Sequence, residues 1–264
     1  MNLPKVPPVQ SLLDFGGRAV LVTGAGGGIG RGIAERFAQA GAAVAVHYHS
    51  NPAPAEQLAT QIVAGGGRAV TLQADIRDQY AVAQLIEQTA AQLGRIDVLV
   101  NNAARQTLAP MLEMTAEEWD AMIETNLRGV FLCTQAAARQ MIAQGGGGAI
   151  VNISSIGGEQ PAPNHSHYNV SKSGIAMHTR AAAAELGLHG IRVNAVAPGL
   201  IWRDGLDQAW PDGLARWQRA VPLGRVGTAE DVADACLFLA SPAARWISGV
   251  SLRVDGGVMS APIY

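Results

Sequence analysis

Seven short, nearly continuous apolar runs alternate with longer amphipathic stretches along this chain, and few architectures accept that rhythm. The runs are RAVLVT (18–23), AVAVHY (43–48), AVTLQA (69–74), IDVLV (96–100), AIVNIS (149–154), IRVNAV (191–196) and SLRV (251–254). A strand with one wet face alternates polar and apolar residues, whereas a strand that is apolar throughout needs cover on both faces. Segments 29–40, 55–64, 79–93, 116–143, 167–188 and 229–240 carry apolar residues at helical spacing and can supply that cover. Repeated strand–helix–strand units of this kind build a parallel sheet. The expected fold is therefore α/β: one doubly wound domain around a seven-stranded parallel sheet flanked by helices. Glycine runs at 65–67 and 145–148 fall just past helices, where left-handed caps need them.

Length leaves open one large domain or two small ones, but no shift in composition marks a linker and no fixed-period repeat appears. Hydrophobic residues at 48% and charged residues at 15% are enough to fill a core, which argues against disorder. A formal net charge of −2 with scattered cations offers no footprint for nucleic acid or an anionic membrane surface. No apolar window is long enough to span a bilayer. Residues 1–14 are expected to form a flexible leader, with three prolines and no signal-peptide pattern, so the chain is expected in the cytoplasm. The domain then covers 15–264. Cys133 and Cys236 sit inside apolar helical patterns and are expected to be buried free thiols. The segment 199–226, rich in Trp and Pro, interrupts the rhythm and is expected to be a flap over the substrate.

The first strand ends in TGAGGGIG (23–30) and runs directly into a helix. Gly24, Gly28 and Gly30, with Ile29 between them, stand where a chain must turn tightly and bring backbone amides against a pyrophosphate. The helix N-terminus adds unpaired N–H groups and a positive dipole end. Further on, HYNVSKSG (167–174) places Tyr168 and Lys172 four residues apart, on one face of a helix. A phenol with a pKa near 10 is a poor proton shuttle at neutral pH, and a neighbouring ammonium would stabilise its phenolate. This spacing is common in helices by chance; its place after a strand and a complete Gly-rich loop gives it weight. Ser155, thirteen residues before Tyr168 in NISSIGG, stands at a strand end, next to Ser154.

The spacing TGxxxGIG departs from the GxGxxG of general Rossmann-type domains and resembles the cofactor loop of the short-chain dehydrogenase/reductase family. Several further motifs match that family in order, over residues 15–257. ADIRD (74–78) resembles its adenine-side segment, which points to Asp75 and Ile76. NNAA (101–104) resembles its NNAG, implicating Asn102 and Ala103 beside the adenosine, and APG (197–199) resembles the turn beside the nicotinamide, implicating Pro198, Gly199 and Ile201. The resemblance implies a catalytic set of Asn126, Ser155, Tyr168 and Lys172, with Tyr168 as general acid/base, Ser155 holding the substrate oxygen, Lys172 binding the nicotinamide ribose and Asn126 kinking the long helix and supporting proton exchange through a water. Ser154 is given a structural role. Within the family the pattern is most similar to 3-oxoacyl-carrier-protein reductases and glucose 1-dehydrogenases, and HYHSN (47–51) resembles pteridine reductases.

The expected activity is NAD(P)(H)-dependent hydride transfer between nicotinamide and a carbonyl or secondary alcohol. An acidic residue ending the second strand would select NAD(H), yet Tyr48, His49 and Ser50 stand there instead. That favours NADP(H), with His49 and Ser50 on the 2′-phosphate, although Gly27 occupies the loop position where relatives often carry Arg or Lys. NAD(H) is the alternative. Gln160, His165 and Trp202 are substrate-side candidates, with Trp210 and Trp217 in the flap; Arg203 replaces a threonine common in the family. The long helices and the tail VDGGVMSAPIY resemble tetramer-forming surfaces, so a homotetramer is expected. A non-catalytic dinucleotide sensor is the other class of reading, and the intact acid–base set speaks against it. His47 and His49, or His165 and His167, lack the carboxylate and thiol company of a metal site, and no GxSxG elbow supports hydrolase chemistry.

Overall fold

A computed structural model describes residues 6–260. Seven strands, β1 (Ala19–Val22), β2 (Ala43–Tyr48), β3 (Arg68–Gln73), β4 (Val98–Asn101), β5 (Gly148–Ile153), β6 (Ile191–Pro198) and β7 (Ser251–Val254), form one sheet. Every neighbouring pair is parallel, in the order β3-β2-β1-β4-β5-β6-β7. The strand order reverses between β1 and β4, and in such sheets that switch point opens a crevice at the carboxyl ends of the strands.

Alternation along each strand divides the core in two. Val20 and Val22 of β1 join Ile33 and Phe37 of α1 (Gly28–Gln39), Leu58 of α2 (Ala53–Ala64) and Val232 and Leu239 of α9 (Ala229–Ala240) on one face. Ala19 and Leu21 turn the other way, toward Val82 and Leu85 of α3 (Gln79–Leu93), Cys133 and Met141 of α5 (Gly129–Gln144) and Ala182 of α6 (Ser166–Leu186). Both cysteines are free and buried, as expected. Gly32 lets α1 lie against α9, because a Cβ there would press on Ala229.

Three details refine the sequence expectations. The stretch 116–143 is not one uninterrupted helix: α4 (Ala116–Ile123) passes through a π-helical turn at Glu124–Arg128 into α5. A single inserted residue widens the turn there, a device common at functional sites, and Asn126 occupies it. Thr115 and Glu118 close a capping box at the start of α4. Segment 199–226 is largely helical, with α7 (Leu206–Ala209) and α8 (Pro211–Ala220). Leu206, Leu214 and Val226 form a small core of their own, against which Trp217 packs. Of the expected leader, residues 1–5 lie outside the described residues, and Val9–Ser11 makes one 3-10 turn; the last four tail residues also lie outside them. Among the described residues, no helix is long and apolar enough to cross a membrane.

Leu99 sits at the centre of β4 with no exposed surface and belongs to the second core. Leu99→Ala is expected to lower stability by about 2–5 kcal/mol through lost burial and the cavity left behind. A urea denaturation curve with an unchanged slope and a lower midpoint checks it.

Candidate active site

The turn leaving β1 is assembled from three strands. Thr23 Oγ1 accepts the N–H groups of Asn102 (2.9 Å) and Ala103 (3.0 Å), both beyond β4. The Asn102 amide donates to Thr23 O (2.9 Å) and Gly24 O (3.0 Å). Gly24 holds φ +64°, and a Cβ on it would collide with Ala103. At Gly30 a Cβ would lie under 3.0 Å from both Gly24 O and the Asn102 amide. The loop is thus closed tightly from below, while Gly27 and Gly28 face open space. The N-cap of α1 is Gly27, which has no side chain to cap the helix, so the first N–H groups stay available to an anion. Those features fit a dinucleotide pyrophosphate. Gly24, Gly28, Ile29, Gly30, Asn102 and Ala103 are therefore gathered in one place.

The adenosine-side candidates lie at the ends of β2 and β3. Tyr48 is half-buried, and His49 and Ser50 are exposed. Asp75 is engaged by Arg77, whose Nη2 lies 2.6 Å from Oδ2, and this hydrogen-bonded guanidinium holds the carboxyl down to about 2. His49 Nε2 stands 3.6 Å from the same oxygen. Ile76 is buried against Gly129 at the start of α5.

Of the residues expected beside the nicotinamide, Pro198 ends β6. Gly199 donates its N–H to Val254 O (2.9 Å) and lies between Asp255 and the Trp217 ring, where a Cβ would be cramped. Ile201 bridges to Gly227.

Tyr168 and Lys172 rise from the first turns of α6, with Lys172 Nζ 5.6 Å from the tyrosine ring centroid. Lys172 is buried and donates to Ile153 O at 2.8 Å; burial lowers its pKa to about 8, so it keeps its proton at neutral pH. The Tyr168 hydroxyl is pushed up by burial, partly offset by a hydrogen bond with Ser155. Burial thus outweighs the expected acidification by these groups alone, and the resting group is a phenol. Ser155 caps a 3-10 turn, its Oγ accepting from Gly157 N–H at 3.0 Å. Ser154 Oγ donates to Lys172 O (3.0 Å), a structural tie between β5 and α6.

Asn126 is fully buried and clamps residue 105 from both sides: Oδ1 accepts from Arg105 N (2.7 Å) and Nδ2 donates to Arg105 O (2.9 Å). Its Nδ2 also lies 3.2 Å from Ser171 Oγ, which donates to Tyr168 O at 2.7 Å. The π turn is thereby wired to the tyrosine's backbone.

Of the substrate-side candidates, His165 comes near the tyrosine, with ring centroids 6.0 Å apart. Gln160 is exposed beyond the 3-10 turn, and Trp202 is 43% exposed with its N–H bonded to Gly227 O. Trp210 lies over Gly213 and Trp217 on Gly199, so both serve packing of the α7–α8 segment. Among the described residues no three His, Cys, Asp or Glu side chains converge as metal ligands. Sequence reasoning missed His47, whose imidazole bonds Gly24. Its signal was a histidine inside an otherwise apolar strand run.

The family model described as enoyl-(acyl carrier protein) reductase matches residues 24–259. This chain belongs to the short-chain dehydrogenase/reductase family. It is 40% identical over 241 residues to the 3-oxoacyl-[acyl-carrier-protein] reductase FabG of Staphylococcus aureus, covering 91% of this chain and 98% of that protein. The 3-oxoacyl-[acyl-carrier-protein] reductase of Synechocystis is 40% identical over 245 residues, 92% of this chain and 97% of that one. A short-chain type dehydrogenase/reductase from Mycobacterium marinum superposes with a TM-score of 0.89 at 38% identity, covering 95% of this chain and 99% of the other. A short-chain dehydrogenase/reductase mutant from Serratia marcescens gives a TM-score of 0.87 at 34% identity, over 92% and 98%. The chain is accordingly an NAD(P)-dependent short-chain oxidoreductase.

In this short-chain dehydrogenase/reductase, two glycines three residues apart at the start of α1 should respond differently to a methyl group. Gly30→Ala drives a Cβ into Gly24 O and Asn102 and is expected to abolish dinucleotide binding and lower Tm. Gly27→Ala, at φ −163° with nothing in reach, should stay within about 0.5 kcal/mol of the parent in stability. Thermal melts with and without dinucleotide distinguish them.

Proposed function

We propose that this protein reduces a ketone on a small-molecule substrate, or oxidises the matching secondary alcohol, with Tyr168 as the general acid/base. The observation that carries this reading is the Ser155–Tyr168–Lys172 arrangement, half-buried at the serine and tyrosine and buried at the lysine, where the carboxyl end of β5 meets the first turns of α6. Bound nicotinamide supplies or accepts the hydride. Ser155 donates to the substrate oxygen, and Tyr168, a phenol at neutral pH, delivers its proton to that oxygen as negative charge develops there. Lys172, held by Ile153 O, presents an ammonium to the nicotinamide ribose and to the tyrosine. Asn126 fixes the Arg105 segment and the start of α6, keeping the tyrosine in register. Oxidation needs the phenolate, so its rate should climb with pH while reduction proceeds from the resting state.

NADP(H) is the preferred cofactor in this reading. No carboxylate follows β2 to repel a 2′-phosphate, His49 and Ser50 are exposed there, and Asp75 is already neutralised by Arg77. The curated relatives' names make a 3-oxoacyl thioester the first substrate to try. Cytoplasmic placement accords with two buried, unpaired cysteines. A homotetramer accords with Phe131 and Ile142 on α5 and Val170 and Met177 on α6, apolar side chains left exposed.

The test is nicotinamide absorbance with NADPH or NADH across ketones, aldehydes, sugar lactones and a 3-oxoacyl thioester. Tyr168→Phe is expected to cut turnover roughly a hundred- to ten-thousandfold while dinucleotide binding persists; full activity in this variant would remove the mechanism. Light scattering should return four times the 27.4 kDa chain mass, and a monomeric mass would refute the assembly.

A further inference from the structure

His47 is the one histidine of β2 that turns into the sheet's interior. It is 1% exposed, yet both ring nitrogens have partners. Nε2 lies 3.1 Å from Ala74 O, beyond β3, and Gly24 N–H points at Nδ1 from 3.0 Å. A carbonyl only accepts and an amide N–H only donates, so these neighbours select a single state of the ring: neutral, with its proton on Nε2. The backbone adds a second tie, since Ala25 N–H donates to His47 O at 2.9 Å. Gly24 and Ala25 therefore both hang from residue 47, while Asn102 and Ala103 hold the same turn from β4.

We propose that His47 is a positioning residue for the dinucleotide: its neutral imidazole holds the Gly24–Ala25 turn in the shape that receives the pyrophosphate and ties that turn to the Ala74–Ile76 segment. The inference rests on the reading of this crevice as the dinucleotide site, and it assigns a role to a residue that touches neither substrate nor cofactor.

The physical argument is one of directionality. Removing Nδ1 leaves the half-buried N–H of Gly24, itself held at φ +64°, without its acceptor. A lost buried partner of this kind is worth about a factor of ten in an equilibrium that depends on the turn. Protonating the ring has the same effect, because an imidazolium presents a second N–H to the Gly24 N–H. The titratable groups facing His47 are His49, at the end of its own strand, and Asp75, paired with Arg77 on the segment leaving β3. Burial is the dominant influence and pushes the imidazole down to about 4. The folded state thus refuses a proton that the unfolded chain accepts near pH 6.5. The associated stability is complete above pH 6.5 and is lost as pH falls toward 4.

Three substitutions separate the two bonds. Asn at 47 keeps an acceptor near the Nδ1 position and loses the Ala74 contact; Gln keeps a donor for Ala74 and loses the acceptor; Leu loses both. NADP+ and NAD+ affinities by isothermal titration, and KM for the dinucleotide against kcat at saturation, are measured for the full chain and each variant. His47→Gln and His47→Leu are expected to weaken binding about tenfold, with the loss falling on KM rather than kcat, and His47→Asn to stay within about threefold of the parent. In urea unfolding between pH 6.5 and 5, the parent should lose stability more steeply than His47→Asn. Should His47→Leu fail to fold, the Asn and Gln pair still decides. Equal affinities in the Asn and Gln variants, or a loss confined to kcat, would overturn the inference. A parent chain that binds neither dinucleotide would instead bring down the reading of the site, and this inference with it.

Discussion

The exit of β1 is the constraint on which the rest of the site depends. Within a few residues the chain must leave a fully buried strand, reverse through a left-handed glycine and enter a helix whose first N–H groups stay free for an anion. Nothing in the local sequence supplies the hydrogen bonds such a turn loses. They come from the neighbours: Asn102 and Ala103 from beyond β4 on one side, His47 from β2 on the other. Strand order explains why these residues are at hand, since β1 lies between β2 and β4. The topology that opens the crevice also delivers the groups that shape its floor.

A second chain of polar contacts runs through the sheet where apolar packing would have been simpler. Asn101 of β4 donates to Asn152 of β5 (2.8 Å) and to Thr134 of α5 (3.1 Å); Asn152 donates to Thr179 of α6 (3.0 Å), which donates to Ile175 O. All four side chains are buried, and each polar atom named has a partner. Such contacts add little net stability but penalise any slip in register, because a one-residue shift would strand buried amides. They hold α6 in a fixed axial position on β5, which is the relation that sets Tyr168 opposite Ser155.

Much of this was legible in the sequence because it rests on patterns with short range. Continuous apolar runs revealed strands covered on both faces, and the sheet has all seven of them in parallel. The Gly-rich loop, NNAA and the Tyr168–Lys172 spacing are local signatures; the first two are tied together by the Thr23 and Asn102 hydrogen bonds, and the third stands on the first turns of α6. What stayed hidden depended on partners that no motif or periodicity names. The resemblance implied a kink at Asn126, but its form, a π turn whose Asn126 amide clamps the Arg105 backbone across 21 residues, leaves no trace in helical periodicity. Segment 199–226 read as an interruption because its two short helices pack on each other and on Gly199, not on the sheet. Asp75 looked like a free adenine ligand until Arg77, two residues on, was seen to occupy its carboxylate. His47 invited thoughts of metals when its meaning lay in two backbone groups, one from each neighbouring strand exit.

The electrostatics of Tyr168 and Lys172 follow from burial before they follow from charge. Withdrawing Tyr168 and Lys172 from water favours the neutral form of each, raising the phenol and lowering the ammonium, so two groups that titrate close together in solution are driven apart. Lys172 remains charged at neutral pH only because its value stops near 8 and Ile153 O accepts from it. A small additional positive potential then has a large effect, since a screened, water-filled site would dissipate it and a buried one does not. The phenol need not be acidic at rest. In the proposed reaction it needs to sit where added charge acts at low dielectric, and the packing of β5 against α6 is consistent with that demand.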